Sequence, residues 1–215
     1  MLYLISGLGA DERLFKNLRL DVETRYIPWL KPLKKESFRA YCERMAESID
    51  EREVVVLAGV SFGGMVAQEI AKFLKVEQIF AISTIVSPDE FSGSFKFLKA
   101  TRVDKIVPAQ LAKEMESVAE FFIEPESEEA TRLVKIFLKE LDLDYFNWSV
   151  DQILEWKNDK PFKNLVRIHG SRDRIFPLKD LKLTENLHVV ECGAHFMTFD
   201  KAEEVGRVMN ENLKK

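Results

Sequence analysis

The sequence predicts an α/β fold: a three-layer α/β/α sandwich on a mostly parallel six-stranded sheet, with a helical cap inserted in it. Three observations carry this. Short apolar runs of four to six residues alternate with stretches of helical periodicity. That alternation is the pattern of parallel strands covered on both faces. One run, Val54–Leu57, leads through Gly59-Val60-Ser61-Phe62-Gly63-Gly64 into a helical segment, Met65–Leu74. The alternation then breaks once, over residues 87–164, where helical patterns stand in place of strands.

Leu2–Ser6 is the first strand, closed by Gly7-Leu8-Gly9. Asp11–Leu18 reads as a short helix with Leu14, Phe15 and Leu18 on one side. Arg25–Trp29 is the second strand, stopped by Pro28 and Pro32, which lack the N–H a ladder needs. Ser37 is a suitable N-cap for a helix to Ile49, along which Phe38, Tyr41, Met45 and Ile49 recur at helical spacing. Val54–Leu57, Gln78–Ser83, Leu165–His169 and His188–Glu191 are strands three to six, and Ala202–Leu213 is the closing helix. Within 87–164, helices are predicted around Phe95–Leu98, Pro108–Phe122, Ser127–Leu141 and Tyr145–Trp156. A structureless loop of that length is out of place in a compact domain. Residues 1–215 therefore read as one domain, with 87–164 as its cap.

With 215 residues, 46% of them hydrophobic, the chain can bury one substantial core. The formal net charge is -4, so nothing basic argues for nucleic acid or an anionic membrane surface as a partner. No apolar run reaches the ~18 residues that span a bilayer. No cationic lead precedes Leu2–Ile5, so a secretory leader is not expected. Cys42 and Cys192 make no disulfide framework, and Cys192 reads as a small buried core residue. A cytoplasmic protein acting on a small molecule is expected, and nothing indicates its oligomeric state.

A sharp strand-to-helix turn holds the residue at its tip clear of the sheet, beside the N–H groups of the helix start. Here that residue is Ser61. A serine hydroxyl is a weak nucleophile until a base takes its proton and an acid orients the base. Of the three histidines, His195 follows the sixth strand in Glu-Cys-Gly-Ala-His-Phe, His169 ends the fifth, and His188 begins the sixth. Parallel strands send the loops at their C-terminal ends to one edge, where ligands bind. His195 and Asp173 both fall on that edge with Ser61, and His188 enters at the opposite one. The reading is Ser61 as nucleophile, His195 as base and Asp173 as acid. Asp89 is the rival acid, with a helix-capping role as its plainer reading, and His169 is expected to support the loop that carries Asp173. No histidine pair has metal-ligand spacing, so no metal or cofactor is expected.

The order Ser61, Asp173, His195 resembles the α/β-hydrolase superfamily, as do Gly-Val-Ser-Phe-Gly-Gly, His169-Gly-Ser-Arg-Asp-Arg-Ile-Phe-Pro177 and Gly-Ala-His-Phe. The resemblance spans nearly the whole chain. It implies an oxyanion hole from the backbone N–H groups of Leu8 and Phe62. The family usually has His-Gly-x-Gly after the first strand, where this chain has Ser6-Gly7-Leu8-Gly9. That histidine is a structural support, so the change does not touch the chemistry. The function implied is hydrolysis of an ester or thioester of a small, largely apolar acyl group. Carbon–carbon bond hydrolysis, cofactor-free perhydrolysis, or ligand reception without catalysis fit the same fold.

Overall fold

A computed structural model of the chain describes residues 1–93, 95 and 112–214. Its elements are β1 (Leu2–Ile5), β2 (Thr24–Tyr26), α1 (Phe38–Ala46), β3 (Val56–Val60), α2 (Phe62–Ile70), β4 (Gln78–Ile82), α3 (Ala112–Ile123), α4 (Glu128–Glu140), α5 (Leu143–Glu155), β5 (Leu165–Gly170), β6 (Leu187–Val190), α6 (Met197–Asp200) and α7 (Ala202–Leu213). The strands form one six-stranded sheet in the order β2-β1-β3-β4-β5-β6. Every neighbouring pair is parallel, so the mostly parallel sheet predicted is wholly parallel.

Side chains that alternate along a strand face opposite sides of a sheet. Tyr3, Ile5, Leu57 and Ile79 pack with Tyr41, Met45, Met65 and Val66 of α1 and α2. Leu2, Leu4, Val56, Ala58, Phe80 and Ile82 pack with Val205, Val208 and Met209 of α7 on the other side. The apolar layers on both faces account for the near-continuous hydrophobic strands.

Boundaries moved where tertiary pairing outweighed local pattern. β3 starts two residues later than its apolar run, and Val54 is 65% exposed. It extends through Gly59, which pairs with Ile5 on one side and Ala81 on the other. α2 starts at Phe62, directly after Ser61. The first helix is one 3-10 turn, Glu12–Phe15, with the Asp11 carboxylate accepting from the Arg13 N–H. Cys192 is not a core residue. It is exposed, with φ 58°, at the turn that follows β6. The strand has ended at Val190, so Cys192 has no sheet or helix layer to pack beneath.

α4 and α5 follow their predicted segments closely, with Ser127 as N-cap of α4 and Trp156 as C-cap of α5. Of the predicted helix Pro108–Phe122, the part from Ala112 onward is α3. The rest of it, and the segment Phe95–Leu98 apart from Phe95, lie outside the described residues. Among the described residues, no helix is long and apolar enough to cross a membrane.

Candidate active site

The elbow is built by backbone contact. Ser61 has φ 53° and ψ -120°, a region that residues with a side chain rarely adopt. Three hydrogen bonds hold it there. The Ser61 N–H donates to the Ile82 carbonyl at 2.9 Å. The Ser61 carbonyl accepts from the Gly64 N–H at 2.9 Å and from Thr84 Oγ1 at 2.8 Å. A Cβ on Gly59 would fall on the Gly63 carbonyl, and one on Gly63 would fall on the Ser6 carbonyl. A Cβ on Gly64 would lie 2.5 Å from Thr84 Cγ2. All three glycines are thus required by close approach. Thr84 carries no motif and was missed from sequence.

β5 and β6 bring the other two side chains together through their C-terminal loops. A Cβ on Gly170 would fall on the Gly193 carbonyl, which accepts from the Arg172 N–H at 2.9 Å. Ser171 Oγ accepts from the Cys192 N–H at 2.9 Å. The loops are therefore laced to each other before any side chain of the site is considered. Asp173 and His195 meet across them, His195 Nδ1 to Asp173 Oδ2 at 2.8 Å, both buried. Asp173 Oδ1 accepts from the Ile175 and Phe176 N–H groups at 2.8 and 2.9 Å. Burial by itself pushes the Asp173 carboxyl up. The charge and hydrogen bond of His195, with His169 and the Phe176 N–H, more than reverse that and hold it below its ordinary value. Asp173 is then an ionised, acceptor-only group at neutral pH. His195 Nδ1 must donate to it, which leaves Nε2 as the basic nitrogen.

Asp89 is elsewhere. Its side chain is 76% exposed and pairs with Lys182 at 2.9 Å. The nearby Glu90 is the buried acid of that loop. It binds the buried Arg167 of β5 through both oxygens, at 2.8 and 3.0 Å, and accepts from the Val86 and Lys182 N–H groups. The sequence does not pair the two, because Glu90 lies 77 residues from Arg167. His169 supports the Asp173 loop as expected, donating Nε2–H to the Phe176 carbonyl at 2.7 Å.

Burial, the largest effect on His169, lowers its pKa from 6.5, against opposing contributions from Asp173 and the Phe176 carbonyl. The protonated form is thus less favourable folded than unfolded. The stability His169 contributes is complete above its unfolded value of ~6.5 and is lost as pH falls from there through the folded value. His169→Gln keeps an N–H for the Phe176 carbonyl and cannot titrate. Its denaturation midpoint should fall less steeply than the wild type's below about pH 6.5. Equal slopes would show that His169 does not set this limb.

Leu8 and Phe62 follow β1 and β3 at the same sheet edge. Among the described residues, neither N–H donates a backbone hydrogen bond. Ser6 takes the supporting place in the β1 loop, its Oγ donating to the Ala10 carbonyl at 2.7 Å and lying 3.0 Å from the Tyr26 hydroxyl.

Ser61 and His195 line one cavity of about 490 Å³. Apart from these two and Arg174, every described residue lining it is apolar or glycine. Arg174 is engaged by its ion pair to Glu124 at 3.1 Å and by the Phe121 carbonyl at 2.8 Å. α3, α4 and α5 all contribute to the lining, including Phe122, Phe137 and Phe146. The aromatics of 87–164 divide between pocket and core. Phe95, Phe122 and Phe146 line the cavity, whereas Trp156 is buried and Trp148 packs on Tyr41 at 4.5 Å. Phe121 is exposed beneath the Arg174 guanidinium, and Phe97 lies outside the described residues.

A family model described as the Alpha/beta hydrolase family matches residues 21–208. The chain belongs to that family. Several solved structures share its fold. A bromoperoxidase from Bacillus anthracis superposes with TM-score 0.74 at 13% identity, over 100% of this chain and 91% of that one. A thermophilic esterase from Thermogutta terrifontis gives 0.67 at 18%, covering 99% and 89%. A meta-cleavage product hydrolase from Pseudomonas fluorescens gives 0.67 at 14%, covering 99% and 90%. No curated protein matches this α/β-hydrolase at a significant level.

Proposed function

We propose that this α/β-hydrolase is a serine esterase or thioesterase acting on an apolar acyl group, through an acyl-enzyme on Ser61. The observation that carries the reading is the buried His195–Asp173 pair on the cavity that also holds Ser61 at a strained elbow. His195 Nε2 takes the Ser61 proton as Oγ attacks the carbonyl carbon. The developing oxyanion is received by the Leu8 and Phe62 N–H groups, which are worth several kcal/mol to such a charge. His195 then protonates the leaving alcohol or thiol and activates water for deacylation. Asp173 holds the productive tautomer throughout. The apolar walls and the cavity volume suit a substrate whose bulk is hydrocarbon.

A chain-length series of p-nitrophenyl and CoA esters tests this, together with labelling by a fluorophosphonate. Labelling and a kcat/KM that rises with acyl length to an optimum are expected. Absence of both labelling and ester turnover would overturn the reading.

A further inference from the structure

We infer that Trp29 is a positioning residue that aims the Leu8 N–H of the proposed oxyanion hole, an inference that rests on the reading above. Its indole Nε1–H donates to the Gly7 carbonyl at 3.1 Å. That carbonyl and the Leu8 N–H belong to one planar peptide unit and point in opposite directions. Gripping the oxygen therefore aims the N–H. The Ala10 N–H donates to the same carbonyl at 3.1 Å, so the Gly7–Leu8 peptide is held and polarised from one side. It lies beside the nucleophile, since a Cβ on Gly7 would stand 3.6 Å from Ser61 Cβ.

The same indole stacks on Phe62, ring centroids 5.4 Å apart and planes 16° apart. Phe62, whose N–H is the other proposed donor, is stacked by Phe38 as well, so this contact fixes the indole rather than that N–H. One rigid side chain thus touches both arms of the site, which come from loops 54 residues apart in sequence (Leu8 to Phe62). Trp29 is itself fixed. The Tyr41 hydroxyl donates to the Leu30 carbonyl at 2.8 Å and accepts from the Leu30 N–H at 3.1 Å, anchoring the adjacent backbone to α1. Tyr145 of α5 packs on the same indole, ring centroids 5.7 Å apart.

Trp29→Phe keeps a ring against Phe62 and deletes the N–H. Site-specific replacement of Trp29 by 3-benzothienylalanine keeps the whole ring shape and deletes only the N–H, so it covers the case in which Trp29→Phe folds poorly. Phe38→Leu is the packing control, because Phe38 also stacks on Phe62, at 5.5 Å, and has no N–H to give the Gly7 carbonyl. Both Trp29 replacements should lower kcat about 10- to 100-fold with KM within about two-fold, since a misaimed donor acts on the transition state. Affinity for a trifluoromethyl ketone, whose hemiketal oxygen occupies the same place, should fall in parallel with kcat/KM. Phe38→Leu should lower the melting temperature and leave kcat nearly unchanged. Unchanged kcat in the benzothienylalanine protein overturns the role of Trp29 and leaves the esterase reading standing. Losses of kcat in Trp29→Phe and Phe38→Leu that follow their losses of stability reduce Trp29 to packing and overturn it as well. A wild type without turnover or probe labelling overturns the esterase reading and this inference with it.

Discussion

Ser61→Gly is expected to abolish turnover and to raise the melting temperature, whereas Ser61→Ala abolishes turnover with little change in stability. Loss of the attacking hydroxyl should cost roughly 10⁵- to 10⁶-fold in kcat in either variant. Their stabilities differ because the strain at Ser61 is in the backbone. At φ 53° and ψ -120° a Cβ is crowded whether or not it carries a hydroxyl, so alanine keeps the strain. Glycine relieves strain of about 1–3 kcal/mol and returns part of that as unfolded-state entropy, about 0.4–1 kcal/mol. The net gain of roughly 1 kcal/mol should raise the melting temperature by about 2–4 °C in a chain of this size. Thermal denaturation beside ester hydrolysis and probe labelling checks both halves. An unchanged melting temperature in Ser61→Gly would mean that the Ile82, Gly64 and Thr84 hydrogen bonds hold the elbow without strain. Retained hydrolysis in either variant would remove Ser61 from the chemistry.

That strain explains why the elbow could be read from sequence. Gly59, Gly63 and Gly64 are each required within a few residues of Ser61, Gly59 by its own segment, Gly63 by Ser6 and Gly64 by Thr84, so the demands of three segments are written into one short run. Strand, turn and helix are local, so local pattern recovers them. The closing helix Ala202–Leu213 was legible for the same reason, with one apolar face and a fixed spacing. What lay beyond reach was long-range. Trp29 looks like the end of a strand next to a proline, and only the fold sets its indole on Gly7 and Phe62. Glu90 and Arg167 look like surface charges until β4 and β5 pair and bury them against each other. Cys192 failed in the other direction. Its small apolar side chain suggested burial, but a turn placed it outside both helix layers. The edge shared by His195 and Asp173 was legible in between, because strand order along the chain assigns loops to an edge without revealing which groups touch.

The contact between Asp173 and His195 makes Asp173→Asn the most informative single change among the acids. Asp173 Oδ1 accepts two backbone N–H groups, from Ile175 and Phe176. An amide placed there must present its oxygen to those donors, because its NH₂ cannot accept. Its NH₂ then faces His195 Nδ1, where Oδ2 stood. Nδ1 is forced to accept, so the neutral ring carries its proton on Nε2. That nitrogen can no longer act as a base toward Ser61. A fall of about 10⁴-fold in kcat is expected, with the fold retained because both backbone hydrogen bonds survive. Asp89→Asn removes charge from an exposed pair with Lys182, a type of contact worth about 0–1 kcal/mol to stability. Its kcat should stay within a few-fold of wild type. Steady-state kinetics of the two variants, with far-ultraviolet circular dichroism to confirm folding, decides the matter. A severe loss in Asp89→Asn beside a mild one in Asp173→Asn would move the acid to the β4 loop. The His195–Asp173 contact would then be a structural pair with no part in turnover.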